Sequence, residues 1–417
     1  MESVKANLPG GVSQAPIDLL ANGTMTQTNT HGSQNKLALW ALMLGNFIIG
    51  TGILLPAGLL NDLVRDFAIS PARAGLLLLA GGLVVGVGAP VLAGLTSHVD
   101  RRKLLCFALL LYGAGHIASA LVPGFELQIL VRAVTVAGAA IFTPQAAATA
   151  GLLVPPERRA GAIAFIFIGW SAASVAGIPI GALLASQFDW RLVYGLMGAL
   201  SFFAATIVWL VLKPGLFVPA LSLANWKQAF TTPVLLVVFV VTLLSMSGQF
   251  TMFGYIAPIL KDGFAATPVL ISIAFAIVGI AGVVGNAIAS RMVARTGVDK
   301  AIAAGLLALC LGFAGFALAY GHFWLAMVAA SLWGLGSFSS NSLQQSRLVA
   351  LAPQLAAATV ALNTSVVYMG QAIGAAVGGR MVDGGLMAAT PLVSMAFLVA
   401  ALLLSLVAAR MGKIKSH

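Results

Sequence analysis

Apolar runs of about 20 residues recur along almost the whole chain, and this repetition constrains the fold more than any other feature. Each run is long enough to cross a bilayer as one helix, because an α-helix rises about 1.5 Å per residue. The 417 residues are 60% hydrophobic and only 8% charged, whereas soluble domains carry roughly a quarter charged residues. We therefore predict an all-α membrane protein.

Counting the runs predicts twelve membrane spans, at residues 37–60, 73–95, 104–122, 127–153, 161–186, 192–212, 233–259, 269–290, 301–320, 323–345, 356–378 and 391–409. Most connections between them are very short. Residues 213–232 form the longest connection and are predicted to be a central cytoplasmic loop between two six-helix bundles, 37–212 and 233–409. The polar residues 1–36 are predicted to be a disordered cytoplasmic tail, and residues 410–417 a second cytoplasmic tail.

The basic residues predict the orientation of the spans. With both termini in the cytoplasm, 16 of the 22 Lys and Arg residues fall in cytoplasmic segments. Such an excess is the usual signal for the cytoplasmic side, so we predict a multi-pass protein of the inner (plasma) membrane. The net charge of +11 is therefore explained by short loops. It does not indicate a nucleic-acid partner.

The two predicted bundles resemble each other in sequence. GIPIGALL at Gly177–Leu184 matches GQAIGAAV at Gly370–Val377. Gly58 and Gly254 occupy equivalent places near the ends of the first and seventh spans. Two repeats joined by a central loop are the plan of transporters whose halves move around a shared site.

Arg132 is predicted to be the only charged side chain inside a span. A charge at that depth costs a few kcal/mol on insertion scales, so such residues usually face a protein interior or a water-filled path. Two structural roles are the alternatives: the side chain reaches the nearby interface, or it donates hydrogen bonds to carbonyls of a neighbouring helix.

The loop GLTSHVDRRK places a glycine before an acidic residue and two arginines. Together with the two six-helix repeats, it resembles the major facilitator superfamily, and more narrowly the twelve-span drug:proton antiporters and sugar-efflux-like permeases. The resemblance implies a conformational latch that stabilises the outward-open state, formed by Gly94, Asp100, Arg101 and Arg102. A cluster that only orients the chain in the membrane is the alternative.

Two further stretches are similar to that family. LVRAVTVAG places Arg132 where the family has an arginine, for which the resemblance implies proton transfer. GWSAASVAGIPIG resembles the antiporter signature of the fifth span. A proline bends a helix and glycines allow close packing, so we predict a helix bend at the residues that match in type, or else a plain packing face: Gly169, Gly177, Pro179 and Gly181.

The resemblance implies that the first, fourth, seventh and tenth spans line a substrate cavity. Helical spacing groups polar residues on their faces, and Asn363 joins them from the eleventh span. The predicted substrate-binding set is Asn46, Arg132, Gln249, Phe253, Asn341, Gln344, Gln345 and Asn363. Neutral amides with aromatic rings suit a ligand with hydroxyl groups or mixed polarity. Hydrogen bonding between helices uses the same residue types.

Proton coupling is the least defined part of the prediction. Ile53 stands where acid-bearing relatives have a carboxylate in the first span. His116 is the proton-carrier candidate, because an unperturbed imidazole titrates at about 6.5. Asp62 and Asp66 lie at the outer end of the first span, where we expect water to keep their pKa values near about 4.

These features predict a secondary active transporter that exports small organic compounds, drug-like or sugar-like, in exchange for protons. The alternatives are an uncoupled facilitator or importer of a sugar or metabolite, and a non-transporting membrane receptor. The sequence contains no nucleotide-binding, zinc or dinucleotide motif, so we predict no enzymatic activity, cofactor or metal. The expected partners are a small-molecule substrate, protons and the lipid bilayer, and the expected oligomeric state is a monomer.

Overall fold

The computed structural model describes residues 18–217 and 223–414, which are almost entirely helical. In these ranges, twelve helices are long and apolar enough to cross a membrane, which confirms the predicted fold class. We number them spans 1 to 12: Asn35–Gly58, Pro71–Leu95, Arg101–Leu121, Phe125–Leu152, Pro156–Gln187, Trp190–Val211, Pro233–Phe253, Pro268–Thr296, Val298–Leu318, Phe323–Leu351, Ala358–Asp383 and Met387–Gly412. The end of the bundle that carries the connection between spans 1 and 2 is called the loop 1–2 side, and the opposite end the loop 2–3 side.

Both predicted tails differ in part from the structure. The first helix runs from Asp18 to Gly58, so residues 18–36 are helical where the sequence predicted a disordered tail. A packed span supplies the costly helix nucleus, and each added residue then gains a backbone hydrogen bond. The last helix is Thr390–Ile414 and takes in most of the predicted second tail. Residues 1–17 and 415–417 lie outside the described residues.

The connection between the two bundles contains a helix. Leu223–Thr231 is helical, while residues 218–222 lie outside the described residues. Pro233 then starts span 7, at a position where a missing backbone N–H costs no hydrogen bond. The central loop predicted at 213–232 is therefore partly a short helix.

The two halves repeat one local design at the loop 1–2 side. The first helix ends at Gly58 and span 7 ends just before Gly254, the two glycines that the sequence comparison paired. Each is followed by a short helix, Leu60–Phe67 and Ile256–Phe264. Each short helix ends at an alanine in the left-handed region, with φ of 49° at Ala68 and 51° at Ala265.

Glycines bring equivalent helices of each half into backbone contact. A Cβ atom at Gly177 would lie 2.1 Å from the Thr51 hydroxyl oxygen, so span 5 packs directly on span 1. In the second half, a Cβ at Gly374 would lie 2.4 Å from the Ser247 carbonyl oxygen, so span 11 packs in the same way on span 7. Gly169 and Gly181 extend the first of these contacts, against Met43 and Leu55.

Span 5 is interrupted in its middle. Arg159–Ala172 is α-helical, Ala173–Gly177 is a π-helical turn, and Ile178–Gln187 continues as α-helix. Pro179 lies two residues after the π turn. The proline ring clashes with the carbonyl four residues earlier, so that carbonyl cannot accept the normal α-helical hydrogen bond. The wider π turn leaves room for the ring.

The two halves contact each other from the loop 1–2 side to just past the middle of span 2. The backbone N–H of Ala72 donates to Asp383 at 2.9 Å across the halves. Further along the same helix pair, a Cβ at Gly82 would lie 2.6 Å from the Tyr368 carbonyl oxygen. Span 8 packs on the π turn of span 5, where Gly279 touches the backbone of Ser174.

Candidate functional site: a cavity between the halves

A cavity of about 60 Å³ lies between the two halves. Spans 7, 8 and 10 supply most of its wall, and spans 1 and 5 close it from the other half. Its lining residues are Leu54, Ser174, Ile178, Gln249, Phe250, Phe253, Phe275, Val278, Gly279, Trp333, Ser337 and Phe338. The π turn of span 5 thus forms part of the wall at Ser174, and the helix that follows it contributes Ile178.

Gln249 is the main polar group of the cavity, and it was predicted from the sequence. Its Oε1 atom accepts a hydrogen bond from the Ser337 hydroxyl at 2.7 Å, and its Nε2 atom donates to the Ser245 carbonyl at 3.3 Å. The amide is therefore held in one orientation by spans 7 and 10. A fixed polar group in an apolar wall is the usual way in which such pockets orient a ligand.

Aromatic rings cover the cavity beside this amide. Phe253, also predicted, lies 5.3 Å from Phe250, 5.6 Å from Phe275 and 6.1 Å from Trp333, measured between ring centroids. The sequence analysis missed Trp333, Phe275 and Ser337. Helical spacing could have pointed to the two residues of span 10. Trp333 lies eight residues before Asn341 and Ser337 four residues before it, on the same face of the helix.

A second polar cluster, outside the cavity lining, contains the predicted amides Asn341, Gln345 and Asn363. The Asn363 amide donates to Asn341 at 3.0 Å and accepts a hydrogen bond from the Thr242 hydroxyl at 2.8 Å. Gln345 reaches the same oxygen of Asn341 at 3.5 Å. Spans 7, 10 and 11 are thus joined by side chains, as expected for the interhelical alternative. Gln344 is 1% exposed, and its amide has no hydrogen-bond partner among the described residues.

Asn46 also lies away from the cavity. It is fully buried, and its amide donates to the Ile166 carbonyl at 3.3 Å, so it joins span 1 to span 5. Gly169 packs against the same part of span 1 and allows the approach of the two backbones. The structure therefore gives Asn46 a contact between helices of the first half.

Arg132 is buried inside the first half and does not line the cavity. Its guanidinium donates to the carbonyls of Gly52 at 2.9 Å and Ile53 at 2.7 Å. Pro56 lies inside the helix of span 1 and has no N–H, so the carbonyl four residues earlier, that of Gly52, lacks its helical donor. Arg132 supplies that donor, and this is one of the structural roles that the sequence left open.

His116 lies close to the same place on span 1. Its Nδ1 atom is 2.8 Å from the Tyr112 carbonyl, and its ring lies between those of Tyr112 and Tyr194. A Cβ at Gly52 would lie 2.7 Å from its Nε2 atom, so a glycine is required there. The proton-carrier candidate thus belongs to the interior of the first half, and it does not line the cavity.

Comparison with known proteins identifies the family of this fold. The sequence profile of the Major Facilitator Superfamily matches residues 42–379, which is most of the chain. The chain belongs to this superfamily. Its members transport small molecules across membranes and are not enzymes. The family resemblance predicted from the loop and span motifs is confirmed.

Relatives of known name cover most of the chain. The inner membrane transport protein YdhP of Escherichia coli (strain K12) is 27% identical over 348 residues, which are 84% of this chain and 89% of that protein. A probable sugar efflux transporter of Helicobacter pylori (strain G27) is 27% identical over 356 residues, 85% of this chain and 91% of that protein. A crystal structure of a bacterial homologue of the human lysosomal transporter Spinster matches with a TM-score of 0.70 at 17% identity, over 91% and 96% of the two chains.

The loop that resembles the superfamily signature contacts the first half and the start of the central connection. Asp100 caps span 3 by accepting from the Lys103 N–H at 3.2 Å, and it also accepts from the Gly215 N–H. Arg101 is buried and donates to Gln145 at 2.8 Å. Arg102 stacks on the Trp209 ring, 4.1 Å from its centroid. The space around Gly94 is open, since a Cβ there would meet no atom within 4 Å.

The second half of this transporter has a buried arginine that the sequence analysis placed in a loop. Arg347 lies inside span 10, is 2% exposed, and forms an ion pair of 3.0 Å with Asp299 at the start of span 9. It also donates to the Ser405 hydroxyl at 3.0 Å. The prediction that Arg132 is the only charged residue inside a span is therefore wrong, since Arg101 and Arg347 are buried as well. Both residues lie just outside the predicted spans, so the sequence analysis placed them in loops.

Proposed function

We propose that this protein is a secondary transporter that exports small organic compounds, drug-like or sugar-like, by alternating access and in exchange for protons. The observation that carries the proposal is the cavity between the halves, in which Gln249 and Ser337 face an aromatic wall. The relative named as a probable sugar efflux transporter supports the direction of transport.

The lining of the cavity favours a ligand of mixed polarity. A sugar ring has hydroxyl groups that could bond the Gln249 amide, and an apolar face that could lie against Phe253 or Trp333. Many drug-like compounds combine the same two features. The described lining contains no charged side chain, and we therefore propose that the preferred substrates are uncharged.

The contacts between the halves support an alternating-access cycle. They hold the loop 1–2 side closed from Ala72 to Gly82. On the other side, the described hydrogen bonds of Asp100 and Arg101 are with the first half and with the start of the central connection. We assign this arrangement to the state that is open toward the loop 2–3 side. We also propose that this side is cytoplasmic, that both termini lie there, and that the transporter is an inner-membrane monomer.

The proposed orientation has a direct test. A reporter enzyme that is active only outside the cytoplasm should be active when fused at Gly124 and inactive at the C-terminus. The reverse pattern would overturn the orientation and with it the assignment of the open side.

An uncoupled facilitator is the second candidate, and one observation favours it. The described lining residues include no titratable group, and Ile53 occupies the position at which acid-bearing relatives have a carboxylate. Intramembrane proton carriers are usually carboxylates or histidines. His116 is the remaining candidate in the first half, and it is separated from the cavity.

Transport by purified protein in liposomes distinguishes these candidates. With a labelled sugar or a fluorescent drug-like compound inside, a proton exchanger should accumulate or expel substrate against its gradient when a pH gradient is imposed. A facilitator should only equilibrate it, and a receptor should leave it where it is. If the substrate only equilibrates across the membrane under an imposed pH gradient, proton-coupled transport is excluded.

A pair of glutamine variants tests the site. Gln249→Leu removes the polar group of the cavity and should reduce flux by about fivefold or more, since losing a buried hydrogen-bonding group costs about 1–3 kcal/mol. Gln187→Leu is the matched control, because Gln187 is exposed at the end of span 5. Equal flux in both variants would show that the cavity is not the substrate site.

A further inference from the structure

A groove lies between spans 2 and 11 at the loop 1–2 side of the bundle, apart from the cavity between the halves. Its volume is about 200 Å³, whereas that cavity measures about 60 Å³. It is lined by Leu76 and Leu79 of span 2 and by Ala376 of span 11. Arg380 borders it as well, three residues before span 11 ends. Both halves therefore form the groove, and it shares no residue with the lining of the cavity.

The groove opens toward the lipid. Two other faces of span 2 are covered, because Gly82 lies against span 11 and Leu78 lies against the end of span 7. Leu76 is on the uncovered face and is 37% exposed, and Leu83, about two turns further along that face, is 40% exposed. On span 11, Ile373 is 38% exposed and continues the opposite wall. An exposed apolar strip thus runs from the groove toward the middle of the membrane.

The floor of the groove is held in place by Tyr255 of the second half. Its side chain is 1% exposed, and its hydroxyl donates to the Ala375 carbonyl at 2.7 Å. A Cβ at Gly75 would overlap this hydroxyl, so span 2 can lie this close only with a glycine there. Gly75 and Ala375 both line the groove. Their small size leaves a depression between the larger side chains of its walls.

Arg380 differs from the other arginines on the loop 1–2 side. Three of these form ion pairs with carboxylates of the first half: Arg65, Arg73 and Arg191. Arg380 is exposed and forms no ion pair within the described residues. The single acid of its helix, Asp383, instead accepts the Ala72 N–H across the halves at 2.9 Å. The guanidinium is therefore available to an anion at the end of the groove.

We propose that a phospholipid occupies this groove, with its phosphate on Arg380 and one acyl chain along Leu76 and Leu79. The planar guanidinium can donate two parallel hydrogen bonds to phosphate oxygens. The apolar walls, and the exposed strip that continues them, suit a hydrocarbon chain that points into the membrane. Basic pockets between transmembrane helices bind lipid headgroups on the same physical basis.

The charge of the headgroup should affect the binding. Phosphatidylglycerol has a net negative charge, whereas the choline of phosphatidylcholine is positive and competes with Arg380 for the phosphate. We therefore expect phosphatidylglycerol to bind more tightly. The site is separate from the proposed substrate site, and its test needs neither substrate nor a pH gradient. The transport proposal can therefore fail without affecting this one.

Photolabelling tests the proposal in full-length protein. The probe is a phosphatidylglycerol with a diazirine near the glycerol end of one acyl chain, added in trace amount to nanodiscs of phosphatidylcholine. Mass spectrometry should find the label concentrated on Leu76, Leu79 and Ala376. Replacing part of the phosphatidylcholine by unlabelled phosphatidylglycerol should reduce this labelling several-fold.

Two outcomes of this experiment would overturn the proposal. Labelling spread evenly over the exposed residues of all spans would show general contact with the bilayer and no site. Labelling of the groove that disappears when inorganic phosphate is added would show a site for a free anion, at which the acyl chain contributes nothing.

Two pairs of variants make the test specific. Arg380→Gln should reduce labelling of Leu79 about fivefold, which corresponds to about 1 kcal/mol for one arginine near a charged membrane surface. Arg65→Gln is its matched control, on the same side of the bundle, and should leave labelling unchanged. Ala376→Phe fills the groove and should also reduce labelling, whereas Val328→Phe, on an exposed position of span 10, should not. Equal labelling in Arg380→Gln and Arg65→Gln would overturn the phosphate contact and with it the proposal.

Discussion

Arg132 supplies the hydrogen bond that Pro56 removes from the helix of span 1. The guanidinium reaches the Gly52 carbonyl at 2.9 Å, four residues before the proline. A carbonyl buried without a partner is costly, and in a membrane no water replaces the missing donor. A charged side chain in span 4 is thus explained by a proline in span 1.

This relationship predicts that the two residues are energetically coupled. Arg132→Ala should lower the melting temperature in detergent, because the Gly52 carbonyl loses its donor. Pro56→Ala restores a backbone N–H at that position and should recover part of the loss, with a coupling of about 0.5–3 kcal/mol. Pro90→Ala, in span 2, is the control and should combine additively with Arg132→Ala. Additive effects for the Pro56 pair would contradict the explanation.

Gly82 is predicted to be required for closing the loop 1–2 side. A Cβ there would lie 2.6 Å from the Tyr368 carbonyl oxygen and 2.9 Å from the Ala372 backbone nitrogen. Because both neighbours are backbone atoms, Gly82→Ala should push spans 2 and 11 apart and favour the state that is open on this side. Gly195→Ala is the matched control, since a Cβ there meets no atom within 4 Å.

Thiol labelling of a cysteine at Leu78, which is 6% exposed and contacts Gly254 of the second half, measures the effect of Gly82→Ala. Labelling should increase several-fold in Gly82→Ala and stay unchanged in Gly195→Ala. Equal labelling in both variants would show that this helix contact does not control access.

The ion pair between Asp299 and Arg347 is predicted to stabilise the second half. Asp299→Asn leaves a buried guanidinium with only Ser405 as a described hydrogen-bond partner, so the melting temperature should fall. Adding Arg347→Met removes the unpaired charge and should restore most of the loss. Asp262→Asn changes an exposed acid in the same half and serves as control. If the double variant is less stable than Asp299→Asn alone, the pair is not the source of the effect.

Two variants of Asp100 separate a helix cap from a conformational latch. Asp100→Ala removes the cap of span 3 and should cost about 1 kcal/mol, whereas Asp100→Asn can still accept from the Lys103 N–H. If the negative charge also acts as a latch, both variants should increase the labelling, from the loop 2–3 side, of cysteines introduced at cavity positions. If labelling increases only in Asp100→Ala, the variant that loses the cap, Asp100 acts as a helix cap and not as a latch.

His116 is predicted to be dispensable for uphill transport. It lies among Tyr112 and Tyr194 inside the first half and does not line the cavity. His116→Ala should therefore keep most of the substrate flux driven by a pH gradient, although the loss of a packed ring should lower the melting temperature. Loss of proton flux with unchanged substrate binding would make His116 the carrier.

The sequence by itself determined the architecture. Twelve apolar runs fix twelve helices, because a backbone inside lipid must satisfy its own hydrogen bonds. The paired glycines Gly58 and Gly254 also marked where both halves repeat the same turn and short helix. Gln249 and Phe253 could be chosen as candidate cavity residues because the family resemblance implies that span 7 lines the cavity, and helical spacing puts both on one face of it.

Only the tertiary structure decided which polar residues face the cavity and which face another helix. Asn46, Arg132 and Gln249 are all polar residues within spans, but the first two donate to carbonyls of the first half and only Gln249 borders the cavity. Helical periodicity defines the face of a single helix, whereas the role of a side chain depends on what the other helices place opposite it.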